Sequence, residues 1–398
     1  MPTIKIAEPA RPPATGWRPL DLGFRPFFLA AGIAAAALVL LWMMLWRQTI
    51  APPAYYGLVG WHSHEMLFGY TAAVIAGFLL TAVRNWTGNP TPVGAPLGLL
   101  AATWLAGRLL PWIPGLPPAA TALADLAFLP LLAAALARPL WSGTNRVNRV
   151  FVPLLLGMAA ANAMIHSDAL GWSAGLAPRG IRVMIDLVLL LIIMVGGRVL
   201  PFFTEKAVPG ARAVHREWVE KTGFLLILLI AVAHTASVDA TVPGILLITL
   251  AMLQTVRVAG WHDARIWRIP ILWVLYSGYG WLIAGLLLSG LDSIGAFPAS
   301  PAAHAVTVGG IGVFTLGMMA RVALGHTGRP MQSTAPINVA FILVNVAAAA
   351  RVLGPWLAPS WNQIWITGAA WMWVAGFALF TIIYAPILLR PRVDGRAD

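Results

Sequence analysis

The feature of this sequence that most limits its fold is a series of apolar stretches, each about as long as a bilayer requires. A helix needs about 20 residues to cross the hydrocarbon core. Because 59% of the 398 residues are hydrophobic and only 10% are charged, a soluble core could not bury this much apolar surface. The sequence therefore predicts an all-α polytopic membrane protein of about twelve spans, at roughly residues 27–46, 63–83, 95–110, 118–138, 148–167, 181–200, 221–237, 242–257, 269–290, 303–323, 334–353 and 364–388.

The basic residues test this topology independently, because Lys and Arg accumulate in cytoplasmic loops. With both termini inside, 21 of the 26 basic residues fall on the inner side. The residues left outside are Arg47, Arg108, Arg179, Arg182 and Arg351. The polar, Pro-rich amino end does not resemble a cleavable signal peptide. We therefore expect one transmembrane domain over residues 1–398, with cytoplasmic tails at 1–26 and 389–398.

Composition also narrows the metals and partners. The chain has no cysteine, which excludes disulfides, iron–sulfur clusters and thiolate metal sites. Any metal must bind through His, Met, Tyr or a carboxylate. The formal charge of +12 does not predict nucleic-acid binding, since the basic residues are scattered between apolar segments and form no single solvated face.

The stretch WHSHEMLFGY (Trp61–Tyr70) places two imidazoles and a carboxylate at the mouth of the second predicted span. A polar group near hydrocarbon is costly unless it has a partner. Residues two apart on a helix point about 200° apart, so one metal is not expected to bind both His62 and His64. On this geometry His62 shares a face with Glu65. One imidazole then binds a cofactor, and the other, with Glu65, serves a second metal, a proton path or the surroundings of the first site.

Five of the eight histidines gather at the predicted outer face. They are His62, His64, His166, His234 and His304. Taken singly, His166 and His234 fit interfacial side chains better than ligands. His326 follows the tenth span on the inside, where a ligand and a residue that stabilises the helix end are equally consistent with the sequence.

Two segments of equal length begin with histidine and run inward: HEMLFGYTAAVIAGFLLTAVRNWTG (His64–Gly88) and HAVTVGGIGVFTLGMMARVALGHTG (His304–Gly328). They belong to the second and tenth spans, a separation that favours three repeats of four spans. The arrangement resembles the catalytic subunit of haem–copper oxidases, whose second and tenth helices carry haem-ligating histidines. It predicts a haem between His64 and His304, although the copper-site histidines expected on the sixth and seventh spans are missing, apart from His234.

The tenth span also carries glycines with two interpretations. They are Gly309, Gly310, Gly312 and Gly317. Such a face permits close approach of a flat macrocycle, and it equally permits close packing of helices.

Five motifs together resemble the NnrS family over nearly the whole chain: GFRPFF (Gly23–Phe28), WHSHEMLFGY, GRVLPFFT (Gly197–Thr204), PILWVLYSGYGW (Pro270–Trp281) and HAVTVGGIGVFTLGMMARVALGHTGR (His304–Arg329). The resemblance implies a bacterial inner-membrane protein that carries haem b, with copper as a second metal, and protects against nitric oxide and nitrosative stress. It places cofactor ligands at His62, His64, His304 and His326, the first three as metal ligands. Tyr276 stands where many relatives have histidine, so a site there is altered or lost.

Two functions follow from these residues. In the first, the protein is a nitric oxide reductase in which Glu65 and Tyr276 or Asp186 pass protons and a membrane quinol supplies electrons, giving nitrous oxide. In the second, a haem or copper module sequesters nitric oxide or relays electrons without turnover, which ligation by two histidines favours. A transporter with Asp125 and Asp186 on an ion path is disfavoured, because the histidines gather at one face and not at the midplane.

Overall fold

A computed structural model describes residues 16–395, which contain twelve long helices. Lipid cannot satisfy free backbone groups, so apolar stretches of this length close their hydrogen bonds internally as helices. The helices are α1 Phe24–Trp46, α2 Gly57–Thr87, α3 Ala95–Leu109, α4 Pro118–Ser142, α5 Phe151–Ala169, α6 Leu176–Ala207, α7 Glu217–Ala236, α8 Thr241–Ala259, α9 Pro270–Ser293, α10 Ala299–His326, α11 Ala335–Leu357 and α12 Asn362–Leu389. All except the shorter α3 are long and apolar enough to span a membrane.

These helices confirm the predicted all-α polytopic fold, with boundaries close to the expected ones. The main difference is that α2 begins at Gly57, several residues before the predicted span. The polar residues between 57 and 64 lower the hydropathy there, but the helical hydrogen bonds continue through them. His62 and His64 therefore lie within the helix and not at its mouth. The predicted tails at 1–26 and 389–398 lie partly outside the described residues.

Three helices, each four apart in the chain, occupy the centre of the bundle. In α2, α6 and α10, 89%, 67% and 83% of the most apolar segment is buried, against at most 56% in the other described spans. These three helices contact one another, and α12 packs back against α1. The arrangement is the one expected from three repeats of four spans.

The two histidine-headed helices share a local departure from α-helical geometry. A π-helical segment follows His64 at Glu65–Thr71, and another follows His304 at Ala305–Val313. The third central helix, α6, has no such segment within the described chain. π-Segments widen the turn and occur frequently at functional sites. Their matching positions strengthen the relation between α2 and α10 that the sequence suggested.

The glycines of the tenth span pack helices together. A Cβ on Gly309 would overlap the indole of Trp281 on α9, and one on Gly312 would overlap Trp373 on α12. Gly310 and Gly317 approach Leu282 and Val274 of α9 in the same way. Of the two interpretations of these glycines, the structure therefore supports helix packing.

The opposing face of α9 offers a direct test of this close packing. A Cβ on Gly285 would lie 2.7 Å from the backbone nitrogen of Val306, whereas one on Gly280 of the same helix would meet nothing within 4 Å. Gly285→Ala should therefore lower the thermal unfolding temperature, since overpacking costs about 1–3 kcal/mol. Tryptophan fluorescence during heating in detergent measures this, with Gly280→Ala as the control. Equal unfolding temperatures for the two variants would contradict the packing.

Candidate functional site

A large cavity opens at the end of the bundle where α2, α6 and α10 begin, which we call the histidine end. It contains about 1000 Å³ of empty space, including its open mouth. Its walls are mostly apolar and come from α1, α2, α6, α10, α11 and α12. Three basic side chains line it: His62, His304 and Arg351.

His304 presents one ring nitrogen that is ready to bind a metal. Its Nδ1 lies 2.7 Å from the carbonyl oxygen of Ser300, which can only accept a hydrogen bond, so Nδ1 carries the proton. In the neutral ring, Nε2 then holds a free lone pair. Metal-ligating histidines commonly have this second hydrogen bond, which holds the tautomer and orientation of the ring.

His62 is held differently from His304. Its ring stacks on Trp42 with centroids 4.2 Å apart. Its Nδ1 is buried and has no hydrogen-bond partner among the described residues. A buried polar atom without a partner is costly. The ring of His62 is therefore oriented by stacking alone, and its Nδ1 has no hydrogen bond of its own.

Arg351 gives the cavity a positive charge. Its Nη2 donates a 2.8 Å hydrogen bond to the hydroxyl of Ser300. Among the described residues that line the cavity, none is acidic. The guanidinium therefore favours a ligand that carries an anionic group.

A second polar site lies next to the cavity in the chain but faces other helices. We call it the His64 cluster: His64 of α2, Asp125 of α4, and Asn162 and His166 of α5. The Nε2 atoms of His64 and His166 lie 3.1 and 3.0 Å from the same oxygen, Oδ2 of Asp125. Asn162 donates to that oxygen at 2.7 Å. All four side chains are buried.

An outer layer of polar side chains orients this cluster. Glu65 accepts from Nδ1 of His64 at 3.1 Å, and Tyr55 pairs with Nδ1 of His166 at 2.7 Å. Arg108 forms a 2.7 Å ion pair with Glu65 and a second one with Asp125. Burial, and then the charge of Asp125, raises the pKa of Tyr55, so this phenol remains protonated at neutral pH.

The predicted residues of the second span thus divide between two sites. His62 lies in the cavity with His304, while His64 lies in the buried cluster. Glu65, expected on the face of His62, accompanies His64 instead. The π-helical segment begins at Glu65, and its wider turn rotates each residue less than an α-helix does. Glu65 therefore stands where the α-helical spacing used in the prediction ends.

Tyr276 and His326 lie at the opposite end of the bundle. The Tyr276 hydroxyl donates to the carbonyl of Trp261 at 2.9 Å and contacts the hydroxyl of Thr204 at 2.8 Å. Thr204 is 19 residues after the cavity residue Ile185 along α6, which corresponds to about 28 Å of helix. His326 is the last residue of α10, whereas His304 lies near the first residue of the same helix. The ring of His326 pairs with the side chain of Asn85 at 3.3 Å.

Asp186 has a partner that the sequence did not indicate. Its carboxylate accepts from Nδ1 of His234 at 2.6 Å, linking α6 to α7. Ile185, the preceding residue, lines the cavity, but Asp186 itself does not.

Sequence reasoning missed the residues that complete both sites. Arg351 was noted only as an outer basic residue, and Asp125 only as a candidate on an ion path. Two features of the sequence could have indicated these residues. Asn162 and His166 are four residues apart and so share one face of α5. Arg108 and Asp125 are opposite charges within neighbouring spans, where an unpaired charge is costly.

Comparison with known families agrees with this architecture. A model described as NnrS protein matches residues 19–392, nearly the whole chain. A comparison with curated proteins finds no match. The family match includes both π-containing helices and every residue of the two sites. The chain therefore belongs to the NnrS family.

Proposed function

We propose that this protein binds haem b in the cavity, with His62 and His304 as iron ligands, and reduces nitric oxide to nitrous oxide. The observation that carries the proposal is that imidazoles from α2 and α10 line one apolar cavity. Membership of the NnrS family supports a role of this membrane protein in the response to nitric oxide. Of the histidines that the sequence motifs suggested as ligands, His62 and His304 line the cavity, so His62 takes the place that the sequence gave to His64.

The cavity has the chemistry that a haem requires. Apolar walls suit the macrocycle, two imidazoles suit its iron, and the guanidinium of Arg351 suits its carboxylates. When bound, the haem would supply an iron centre that binds nitric oxide and takes up an electron. The protein residues then hold this group, exclude water and decide which coordination positions are open.

The two histidines are suited to different roles. His304 is anchored by its hydrogen bond to the Ser300 carbonyl, so it serves as the permanent ligand. His62 lacks a comparable bond at Nδ1, so it would be the less firmly held of the two ligands and could make room for nitric oxide. Reduction of nitric oxide needs such an opening.

The reaction also needs protons and electrons. Two molecules of nitric oxide, two protons and two electrons give one nitrous oxide and one water. A membrane quinol supplies both electrons and releases two protons when it is oxidised to the quinone. Glu65 is buried against His64 and Arg108 and precedes the cavity residue Met66; it is the proposed proton carrier on α2, leading from the His64 cluster towards the cavity. Tyr276 has no part in this proposal because of its distance from the cavity.

A second function is favoured by the same pair of imidazoles. If His62 and His304 both stay bound, no coordination position is open, and the protein is a haem module that sequesters nitric oxide elsewhere or relays electrons. Copper at a second centre is compatible with either function.

One experiment separates these functions. The purified, reduced protein is mixed anaerobically with nitric oxide and a soluble quinol, and both the Soret band and the evolved gas are measured. We expect a shifted Soret band and one nitrous oxide for every two nitric oxide molecules consumed. An unshifted band without gas would support the non-catalytic module. Purified protein that neither contains nor takes up haem would refute both.

Arg351 allows a test of how the cavity recognises a carboxylate. Arg351→Gln should weaken haem binding by about 10–100-fold, since a hydrogen bond to a charged group contributes about 1.5–3 kcal/mol. It should weaken binding of haem dimethyl ester, which lacks free carboxylates, much less. Titration of haem-depleted protein followed at the Soret band measures both affinities. Arg47→Gln, outside the cavity, is the control, and equal binding of haem and its ester by the unaltered protein would contradict this role.

A further inference from the structure

We propose that the His64 cluster is a binding site for a divalent first-row metal ion, separate from the cavity. The ligands are Nε2 of His64, Nε2 of His166 and the carboxylate of Asp125, with the amide oxygen of Asn162 as a fourth. This proposal goes beyond the proposed function and does not depend on haem.

The first argument is the convergence of the ligand atoms. One nitrogen from each imidazole and one carboxylate oxygen all lie within 4.8 Å of one another, and all three residues are buried. An ion with bonds of about 2.1 Å to nitrogen and oxygen keeps neighbouring ligand atoms roughly 3.0–3.4 Å apart. The 3.1 and 3.0 Å separations from Asp125 to the two imidazoles agree with that spacing. Two histidines and one carboxylate are a frequent set for catalytic zinc and for non-haem iron.

The second argument is the outer layer of hydrogen bonds. Metal-bound histidines usually donate their other N–H to a carboxylate or another oxygen. Nδ1 of His64 has Glu65 for this purpose, and Nδ1 of His166 has the Tyr55 oxygen. Arg108 holds the second oxygen of Asp125. Both imidazoles and the Asp125 carboxylate are thus oriented from behind, so that a lone pair of each faces the centre of the cluster.

The third argument is charge. With neutral imidazoles, the carboxylates of Glu65 and Asp125 exceed the single guanidinium of Arg108 by one negative charge. A buried uncompensated charge is costly, so the cluster requires a further positive charge. A metal ion supplies it, and so would a proton that turns His64 into an imidazolium.

The surroundings of His64 favour the metal over the proton. Its Nε2 lies 3.1 Å from Asp125, 3.1 Å from the Asn162 oxygen and 3.3 Å from the Tyr56 oxygen. A single N–H can serve only one acceptor well, because the strength of a hydrogen bond falls steeply away from linearity. One cation at the centre can attract all of these oxygen atoms at once.

The test uses the full-length protein in detergent. Bound metal is removed with a chelator, one equivalent of Zn²⁺ or Co²⁺ is added, and the metal retained per chain after desalting is measured by mass spectrometry. We expect one ion per chain in the unaltered protein and none in His64→Ala or His166→Ala. The visible absorption of Co²⁺ should show nitrogen and oxygen ligands and disappear in the same variants.

Matched variants separate ligation from general damage. His234→Ala should retain the metal, because His234 also pairs with a buried carboxylate, Asp186, but lies outside the cluster. Tyr55→Phe removes no ligand, and it should lower the metal affinity about 10–100-fold through loss of the outer hydrogen bond. If an alanine variant does not fold, as judged by size-exclusion chromatography, Tyr55→Phe still carries the test.

Three outcomes would overturn the proposal. They are the absence of retained metal in the unaltered protein, unchanged affinity in Tyr55→Phe, and loss of the metal in His62→Ala or His304→Ala in place of the cluster variants. Haem is assayed separately by its pyridine complex. If the unaltered protein binds the metal ion but does not bind haem, the proposed function is refuted and the proposed metal site is supported.

Discussion

Replacing His304 with alanine should remove haem from the purified protein. This residue is the proposed ligand whose orientation is held by a 2.7 Å hydrogen bond to a backbone carbonyl. Even loss of a residue that only supports a ligand costs about 10–100-fold in metal affinity, so haem content should fall at least about tenfold. His62→Ala should instead keep part of the haem and change its Soret band, because the firmer ligand remains. Haem per chain, from the pyridine complex, measures both results.

The control for this prediction is His64→Ala. His64 lies two residues from His62 on the same helix, but it contacts the buried cluster and does not line the cavity. We expect it to keep its haem. The opposite result would be loss of haem in His64→Ala and full retention in His62→Ala. It would support the pairing of His64 with His304 that the repeated segments suggested.

Replacing Arg108 with glutamine should give the largest loss of stability. This residue is 8% exposed, and its guanidinium pairs with both Glu65 and Asp125. Without it, two buried carboxylates lose their common counter-ion, and breaking a buried ion pair costs about 3–5 kcal/mol. The thermal unfolding temperature in detergent, followed by tryptophan fluorescence, should fall clearly.

Arg265→Gln is the matched control, because Arg265 pairs with Asp263 in an exposed loop. Exposed ion pairs contribute little, so the unfolding temperature should not change. Adding Asp125→Asn to Arg108→Gln should restore part of the lost stability by removing one unpaired charge. Equal unfolding temperatures for the Arg108 and Arg265 variants would contradict the buried ion-pair network.

The path of the chain across the bilayer was largely predictable. Each apolar stretch must satisfy its own backbone hydrogen bonds in lipid, so a local property of the sequence is enough to locate α1 to α12. The relation between α2 and α10 was visible in their aligned histidines. The π-helical segments after His64 and His304 were not, because nothing in the local composition distinguishes them from α-helix.

The candidate sites were only partly predictable. Angular spacing correctly indicated that His62 and His64 point in different directions. It could not indicate which one lines the cavity with His304, since that depends on the rotation of α2 against α10. Tyr276 looked suitable by residue type, but its hydrogen bonds to Trp261 and Thr204 place it far from the cavity.

The sequence by itself determined the approximate number of helices, the all-α class and the concentration of histidine at one end. These features depend on hydropathy and charge, which can be read from successive residues. Only the tertiary structure decided which side chains meet. Asp125, Asn162 and His166 join His64 from helices far apart in the chain, and Arg351 reaches the cavity from α11. These long-range contacts depend on how the helices pack, and the packing of each helix depends on the side chains of all the helices around it.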